Sequence, residues 1–437
     1  MKRVLVLGAG LVSRPLVHYL TDQPDLEVTL ASRTASKAEA LVAGRDRGKA
    51  VALDVQDESA LERLIADHDV AVSLLPATEH VKVAELCLKH GKHMSTTSYI
   101  SPEMKSLDAA AREADLTFLN ECGVDPGIDH MSAMRIIHQA EAEGARVVSF
   151  RSYCGGLPAP EANTNPIGYK FSWAPRGVLV AATNPGRYLQ DGQVVEVPGD
   201  ELFASPETVT VPGAGDFEGY PNRDSLPYQE MYGLQDVKTM FRGTLRNLGH
   251  CASWYHWVQL GLFDTQVRAD LDHLTYQDWM QSVAGGAPAD QALASRAGVA
   301  TDHPAIANLA WLGLFEDEPL PMTEGSNVDV MAARMRERCP FGPDERDMIV
   351  LQHEFGIEAA AGARQVYSTL IDFGIPGGDS AMARTVSLPV AIATRLILQG
   401  DVAERGVIAP IRPDVYNPIL DELERLGIRC EETSRAR

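Results

Sequence analysis

Short apolar runs alternate with amphipathic stretches over residues 3–121. Six runs have the length and composition of buried strands: RVLVLG, EVTLAS, AVALD, VAVSLLP, HMSTTS and LTFLNEC. Between them, stretches such as residues 60–66 and 103–114 repeat apolar residues at spacings of three and four, which is typical of helices. A parallel sheet covered by helices on both faces needs this alternation. The pattern therefore predicts an α/β segment with a doubly wound Rossmann sheet.

The pattern changes after residue 128. A helix is predicted over residues 129–143 and a strand at RVVSFRSYCGG, followed by a long Gly/Pro-punctuated stretch that interleaved aromatic residues should keep ordered. Residues 241–335 read as helical, and Trp254, Trp257, Trp279 and Trp311 are expected in their core. RDMIVLQHEFGIE alternates like a strand of a mixed sheet, SAMARTVSLPVAIATRLILQG reads as a long apolar helix, and the polar end EETSRAR should fray.

The net charge of the chain limits the classes of partner that it can bind. It has 39 Lys and Arg against 60 Asp and Glu, a net charge of −21. Such an excess repels phosphate backbones and anionic lipid surfaces, so neither nucleic acid nor a membrane is an expected partner. The apolar run in MKRVLVLGAG is shorter than a signal-peptide core, which favours a cytoplasmic protein.

The cysteines and histidines predict no metal site. The six cysteines form no CxxC pair, so neither a redox dithiol nor a zinc-thiolate cluster is expected. His90 and His93 come closest to a ligand pair, but they flank a predicted turn and lack a third ligand.

A glycine-rich turn, GAGLVS, follows the first strand and opens a helix. Gly8 permits the tight turn and Gly10 lets the backbone approach a pyrophosphate, while Ser13 stands where glycine or alanine is usual. The incomplete fingerprint gains weight from this strand-turn-helix context. The alternative is a turn that binds nothing.

The end of the second strand decides which dinucleotide fits. An NAD-binding protein would place Asp or Glu there, whereas this chain has ASRT, residues 31–34. Arg33 can pair with a 2′-phosphate, and Ser32 and Thr34 can donate hydrogen bonds to it. NADP is therefore the predicted cofactor; the alternative for Arg33 is a solvated surface charge.

Two further strand ends lie where ligands bind an open α/β sheet. Asp54 and Val55 end the third strand and could meet the adenine edge, and residues 75–78 end the fourth and could meet the nicotinamide ribose. Alternatively, Asp54 only caps a helix and Pro76 only stops the strand.

Several later segments closely resemble the NADP-dependent, glutamate-forming saccharopine dehydrogenase family, also called saccharopine reductase. They are TTSYISP, NECGVDPGIDH, SYCGGLPAPEANTNPIGYKFSWAPRGVL, YPNRDS and RGTLRNLG, and the resemblance continues through ERDMIVLQHEF, GGDSAMA and RGVIAP. It implies a reversible reaction in which an imine of 2-aminoadipate 6-semialdehyde and L-glutamate takes hydride from NADPH to give saccharopine. It also implies a place in lysine metabolism and a homodimer.

The resemblance assigns ligand contacts to particular residues. The cofactor-binding set, together with the glycine turn, is Gly8, Ala9, Gly10, Leu11, Val12, Ser32, Arg33, Thr34, Asp54, Val55, Leu75, Pro76, Ala77, Thr78, Val124, Asp125, Pro126 and Ala174. The substrate-binding set is Ser98, Tyr99, Asp125, Arg223, Thr244, Leu245 and Arg246. At Ala174 this chain has WAPR where fungal relatives have WSSR, so the side-chain hydrogen bond expected there is missing.

The resemblance also suggests three domains. A Rossmann domain is expected from residues 1–128 plus about 380–437, because the long apolar helix should pack back on the N-terminal sheet. A substrate-binding and dimerisation α/β domain with a mixed sheet is expected from residues 129–240 plus about 345–379. A small helical domain is expected from residues 241–344.

The residue types suit a substrate with three carboxylates. Arg223 and Arg246 can recognise carboxylates bidentately, and Asp125 can accept from a secondary ammonium. The acid/base candidates are Asp125, Tyr99 and Cys154, in that order; the alternative for Cys154 is a small buried residue.

Two other functions stay open at this stage. A carboxynorspermidine-type dehydrogenase would reduce an imine formed with a diamine, but a diamine site should carry carboxylates or aromatics in place of Arg223 and Arg246. The other is a non-catalytic NADP-binding protein.

Overall fold

The computed structural model describes residues 1–286 and 289–436. They form two compact units. Unit 1 comprises Met1–Arg146 and Gly378–Glu432, and unit 2 comprises Val147–Gly377 with the segment that begins at Thr433.

Unit 1 begins with alternating strands and helices, with two short helices between its fifth and sixth strands. The strands are β1 (Lys2–Leu7), β2 (Leu26–Ser32), β3 (Gly48–Ala52), β4 (Val70–Ser73), β5 (His93–Thr96) and β6 (Thr117–Leu119). The helices are α1 (Ser13–Asp22), α2 (Ala35–Val42), α3 (Glu58–Ala66), α4 (His80–His90), α5 (Pro102–Ser106), α6 (Asp108–Glu113) and α7 (Ile128–Ala142). All six strands predicted from the apolar runs are present.

Unit 2 combines a sheet with a group of helices. Its elements are β7 (Arg146–Pro158), α8 (Pro175–Ala181), β8 (Gly186–Gln190), β9 (Gln193–Val197), β10 (Glu207–Val211), β11 (Gly215–Pro221), α9 (Pro227–Met231), β12 (Thr239–Asn247), α10 (His250–Gln259), α11 (Tyr276–Ala284), α12 (Ala289–Ala297), α13 (Pro304–Trp311), α14 (Asn327–Arg338), β13 (Asp347–Ala359) and β14 (Gly362–Phe373). Strand β12 pairs parallel with β7 and antiparallel with β11, so the sheet is mixed.

The chain then returns to unit 1 through α15 (Ala381–Gln399), β15 (Gly406–Ile408) and α16 (Pro413–Arg425), and it ends in β16 (Cys430–Ala436). Strand β15 pairs parallel with β6, which completes a sheet in the order β15-β6-β5-β4-β1-β2-β3. In the described residues, all six strand pairings of this sheet are parallel. Residues Val4–Leu7 are fully buried, as a parallel strand covered on both faces requires.

Helix α15 is long and apolar enough to cross a membrane by length and composition, but 72% of the relevant stretch is buried in the fold. Ser380 caps its start by accepting from the amide of Ala383 at 3.0 Å. The Thr394 hydroxyl lies 2.8 Å from that of Ser95 on β5. We therefore assign α15 as a core helix that covers one face of the unit 1 sheet.

The predicted fold class is confirmed: an N-terminal doubly wound Rossmann sheet, a second α/β part with a mixed sheet, and helices. The division into three domains stays a prediction. In the structure, α7 lies in unit 1 rather than beyond a boundary at residue 128, and residues 241–344 lie within unit 2.

Three local predictions were wrong. Residues 241–247 belong to strand β12 rather than to a helix, and residues 430–436 form β16 instead of a frayed end. Trp254, Trp257 and Trp279 are buried as expected, but Trp311 is 38% exposed at the end of α13. Trp311 lies with the exposed Ala310 on the outer side of the last helical turn, whereas Leu309 and Leu312 on the inner side are fully buried.

Candidate active site

The glycine turn between β1 and α1 is closed by Ser13. Gly8 has φ +112°, and a Cβ there would lie 3.0 Å from the carbonyl oxygen of Leu74. The Ser13 hydroxyl donates to the Gly8 carbonyl at 2.9 Å and accepts from the Gly10 amide at 2.9 Å. The departure from the usual third glycine thus has a structural role that the motif alone does not reveal.

The space in front of the turn fits a pyrophosphate. A Cβ on Gly10 would meet no atom within 4 Å, so the space beside this residue is open. Among the described residues, no side chain caps the first turn of α1. Uncapped amides at a helix N-terminus carry partial positive charge and bind phosphate groups. Residues Gly8, Ala9, Gly10, Leu11 and Val12 would hold this part of the dinucleotide.

The end of β2 offers an exposed cation. The Thr34 amide donates to the Ser32 hydroxyl at 3.3 Å, and Arg33 between them is exposed. Within the described part of the chain, its guanidinium has no hydrogen-bond or ion-pair partner. An exposed arginine whose donors are uncommitted fits the 2′-phosphate of NADP.

The ends of β3 and β4 are accessible. Asp54 is exposed and accepts from the Gln56 amide at 3.0 Å; Asp57, not Asp54, caps α3 by accepting from Ala60. The helix-cap alternative for Asp54 was therefore wrong. Val55 and Leu75 are half-buried beside these ends, and Pro76, Ala77 and Thr78 are exposed.

The predicted substrate residues of unit 1 gather at the ends of β5 and β6. Tyr99 donates its hydroxyl to Asp125 Oδ1 at 3.3 Å, and both residues are half-buried. Val124 and Pro126 on either side of Asp125 are buried. Gly127 follows, where a Cβ would lie 2.1 Å from the carbonyl oxygen of Gly123, so only glycine fits this turn. The structure thus brings two of the three predicted acid/base candidates into contact.

A buried Glu121–His130 pair supports this loop, and the sequence analysis missed it. His130 Nε2 lies 2.8 Å from Glu121 Oε2, with the two side chains 0% and 5% exposed. The other carboxylate oxygen accepts from the Ile100 amide at 2.9 Å. Glu121 has φ +55°, an uncommon conformation for a residue with a side chain. Its carboxylate ties the segment that carries Tyr99 to the first turn of α7.

A second buried histidine, His80, contacts the predicted substrate residue Ser98. His80 Nδ1 lies 2.8 Å from the hydroxyl of Ser73, and Nε2 lies 2.7 Å from the hydroxyl of Ser98. Burial lowers the pKa of His80 to about 4, so the ring is neutral near pH 7. The sequence carried no signal for this residue beyond a lone histidine at a helix start.

In unit 2, three predicted residues lie on neighbouring strands. Thr244 on β12 is the register partner of both Cys154 on β7 and Tyr220 on β11. Cys154 is half-buried, whereas Leu245 is fully buried in the hydrophobic core of the sheet.

Arg246 is the most deeply buried of the predicted cationic residues. It is 9% exposed, its guanidinium lies 5.0 Å from the centre of the Tyr169 ring, and it donates to the Leu245 carbonyl. Its Nε has no partner among the described residues, nor has either ring nitrogen of His250. Burial and the charge of Arg246 lower the pKa of His250 well below its usual range. A buried guanidinium with an uncommitted donor suits an anionic ligand.

The two remaining predicted residues are exposed. Arg223 follows β11 with φ +58°, and its carbonyl accepts from the Arg187 amide at 2.9 Å. Ala174 immediately precedes α8 and offers no side-chain hydrogen bond to its first turn. Among the described residues, no three His, Cys, Asp or Glu side chains group as a metal site.

Comparison with known proteins places this arrangement in a family. Residues 4–119 match the saccharopine dehydrogenase NADP binding domain, and residues 123–428 match the saccharopine dehydrogenase C-terminal domain. The chain belongs to the saccharopine dehydrogenase family. The glycine turn, the ASRT segment and the ends of β3 and β4 all lie in the NADP binding domain, so the prediction of NADP is confirmed.

Individual relatives in the saccharopine dehydrogenase family match over the whole chain. The chain is 39% identical to saccharopine dehydrogenase [NADP(+), L-glutamate-forming] of Schizosaccharomyces pombe, covering 99% of each chain, and 38% identical to that of Saccharomyces cerevisiae, covering all of both. It is 38% identical to mouse mitochondrial alpha-aminoadipic semialdehyde synthase, of which it covers 47%. The apo structure of the S. cerevisiae enzyme superposes with a TM-score of 0.91 at 37% identity over all of both chains.

Proposed function

We propose that this chain is an NADP-dependent, L-glutamate-forming saccharopine dehydrogenase. It catalyses the reversible reductive condensation of 2-aminoadipate 6-semialdehyde with L-glutamate to saccharopine, a reaction of lysine metabolism. The observation that carries the proposal is the match to the S. pombe enzyme, 39% identical over 99% of both chains. NADPH, when bound, supplies the hydride for the imine carbon.

The residues of unit 1 supply positioning and proton transfer. The Asp125 carboxylate stabilises a protonated imine by its charge and can take up or return the nitrogen proton. Tyr99, which donates to Asp125 at 3.3 Å, orients this carboxylate. Imine reduction needs little more than positioning and a proton path, and these two side chains can supply both. Cys154 stays a third acid/base candidate.

The arginines of unit 2 favour an anionic substrate. Saccharopine carries three carboxylates, and the buried Arg246 has an uncommitted Nε that a carboxylate can satisfy. A diamine would bring positive charge to a buried guanidinium, which is unfavourable in a low-dielectric surrounding. Arg246 and Arg223 therefore favour the tricarboxylate over the diamine alternative.

A single assay separates the candidate functions. NADPH oxidation is followed by the loss of NADPH absorbance in three mixtures. The first contains 2-aminoadipate 6-semialdehyde and glutamate, the second an aldehyde of the same class and a diamine, and the third NADPH alone. We expect turnover only in the first mixture, and saccharopine with NADP⁺ should run the reverse reaction. Turnover with diamines alone would establish the carboxynorspermidine-type function, and NADPH binding without turnover in any mixture would indicate a non-catalytic protein.

We propose in addition that the enzyme works as a homodimer in the cytoplasm, without nucleic-acid or membrane partners. The family resemblance supports the dimer, and the net charge of −21 supports the absence of polyanionic partners. The cysteines are free thiols in the described residues, which suits a reducing compartment. Light scattering during size-exclusion chromatography tests the dimer, and fractionation of cells that express the chain tests the compartment.

A further inference from the structure

His80 lies at the carboxyl end of β4, enclosed between two serine hydroxyls. Its Nδ1 is 2.8 Å from the Ser73 hydroxyl and its Nε2 is 2.7 Å from the Ser98 hydroxyl. His80 is 4% exposed and Ser73 is fully buried. A neutral imidazole has one donor and one acceptor nitrogen, so the neighbours decide which nitrogen carries the hydrogen.

Ser73 favours hydrogen on Nε2. Within the described part of the chain, the Ser73 hydroxyl has no partner besides His80 Nδ1. If Nδ1 carried the hydrogen, Ser73 could only accept, and its own hydroxyl hydrogen would be buried without a partner. Leaving a buried donor unpaired costs about 1–3 kcal/mol. Ser73 therefore donates to Nδ1, and Nδ1 is the acceptor.

The contacts of Thr96, near Nε2, also indicate that Nε2 carries the hydrogen. Its hydroxyl donates to the Ser73 carbonyl at 2.9 Å, so it has no hydrogen left for His80. The same hydroxyl oxygen lies 3.5 Å from His80 Nε2 and can only accept there. Both oxygen atoms that face Nε2, those of Thr96 and Ser98, are thus acceptors for an Nε2 hydrogen.

We infer that His80 is a positioning residue that makes the Ser98 hydroxyl a hydrogen-bond donor to the substrate. Ser98 accepts from His80 Nε2, so its own hydrogen has to point to another acceptor. Among the described residues, its hydroxyl has no other partner. A donor hydroxyl at this position selects a carboxylate or carbonyl oxygen and disfavours an ammonium group, which has no acceptor. The inference rests on the proposed function only in taking this group to be a carboxylate of saccharopine.

A measurement of the His80 tautomer tests the first part of the inference, that Nε2 carries the hydrogen. It does not depend on enzyme turnover. Long-range ¹H–¹⁵N spectra of the ¹⁵N-histidine-labelled full chain report which ring nitrogen carries hydrogen, and the His80→Gln spectrum identifies the His80 signals. We expect an Nε2–H ring that does not titrate between about pH 5.5 and 8. An Nδ1–H ring, or an imidazolium in this range, would overturn the inference.

Kinetic measurements test the second part of the inference, that the Ser98 hydroxyl donates a hydrogen bond to the substrate. His80→Leu removes the donor to Ser98, and Ser98→Ala removes the hydroxyl itself. Each should raise KM for saccharopine about 3- to 12-fold, the equivalent of one neutral hydrogen bond, with kcat and the NADP⁺ dissociation constant changed less than about twofold. The double variant should lose no more than either single variant, because both act through one hydroxyl. His80→Gln, which can keep a donor towards Ser98, should recover most of the loss.

His68 provides a matched control. It is also a buried neutral histidine of unit 1, 7% exposed, with Nε2 2.8 Å from the Thr29 hydroxyl, but it precedes β4 at the opposite end of the strand. His68→Leu should leave KM for saccharopine unchanged. Additive losses in the double variant, or an equal KM rise in His68→Leu, would refute the role of His80. A parent enzyme inactive with saccharopine would refute the proposed function instead, while the spectra still report the tautomer.

Discussion

Replacing Glu121 by alanine should destabilise unit 1 strongly, because its carboxylate satisfies two buried donors. These are the Ile100 amide at 2.9 Å and His130 Nε2 at 2.8 Å. Each orphaned donor costs about 1–3 kcal/mol, and breaking a buried pair by removing one partner typically costs 3–5 kcal/mol. We therefore expect a loss of about 3–5 kcal/mol from a total stability that is usually 5–15 kcal/mol.

The loss can be measured as a thermal shift. In a compact unit of roughly 150–250 residues, 1 kcal/mol lowers Tm by about 2–4 °C, so Glu121→Ala should lower the unit 1 transition by about 6–20 °C. Glu121→Gln should lose less than half as much, because the amide oxygen can still accept from Ile100. Turnover by Glu121→Ala should fall as well, because the segment 98–100 that carries Tyr99 loses its anchor.

An exposed pair serves as the control for this experiment. Glu431 lies 2.5 Å from Arg429, with side chains 70% and 56% exposed. Glu431→Ala should change stability by less than about 1 kcal/mol, as exposed ion pairs do. If Glu121→Ala shifts Tm no more than Glu431→Ala does, the buried carboxylate of Glu121 does not stabilise this loop.

Three further predictions concern the ligands and the fold. Arg33→Ala should weaken NADPH binding about 10- to 100-fold and NADH binding far less, measured by fluorescence titration. Equal losses for the two cofactors would show that Arg33 does not contact the 2′-phosphate. Arg246→Ala and Arg223→Ala should mainly raise KM for saccharopine, by about 2–4 kcal/mol for the buried Arg246 and by less for the exposed Arg223, whereas Asp125→Asn should mainly lower kcat and flatten the pH–rate profile. A KM within twofold of the parent in both arginine variants would contradict the tricarboxylate pocket. Removing everything after Gly378 should yield insoluble protein, because it uncovers one face of the unit 1 sheet; a soluble, NADPH-binding truncation would contradict that packing.

The parts of this molecule that could be predicted from sequence are those in which a residue pattern is compatible with a single local structure. Strands buried on both faces must be continuous apolar runs, so β1–β6 were visible in the sequence. Gly8 and the ASRT segment were recognisable because their distance from a strand end determines which ligand atom they meet. The half-exposed strands β8–β11 lack such runs, and the sequence analysis left them in an irregular stretch.

The supporting part of the site could not be predicted because its contacts join residues that no spacing rule connects. Glu121 and His130 meet only because the chain reverses through Gly127, where a Cβ would collide with Gly123. His80 and Ser98 lie on different elements, at a helix start and after a strand. A single buried histidine has the same local sequence whether it packs in a core or orients a ligand group.

The pairing of β15 with β6 has a consequence for how the chain is made. The Thr117 hydroxyl of β6 donates to the carbonyl of Glu404, just before β15 and 287 residues later in the chain. At about 5–20 residues per second, a ribosome needs roughly 15–60 s to synthesise that interval. All of residues 147–377 emerge during this time, so every strand of the unit 2 sheet except the edge strand β16 is available while the unit 1 sheet still lacks its seventh strand and the cover of α15. During synthesis, the sheet of the cofactor-binding unit therefore stays incomplete until residues 406–408 have emerged, although its first strand leaves the ribosome first.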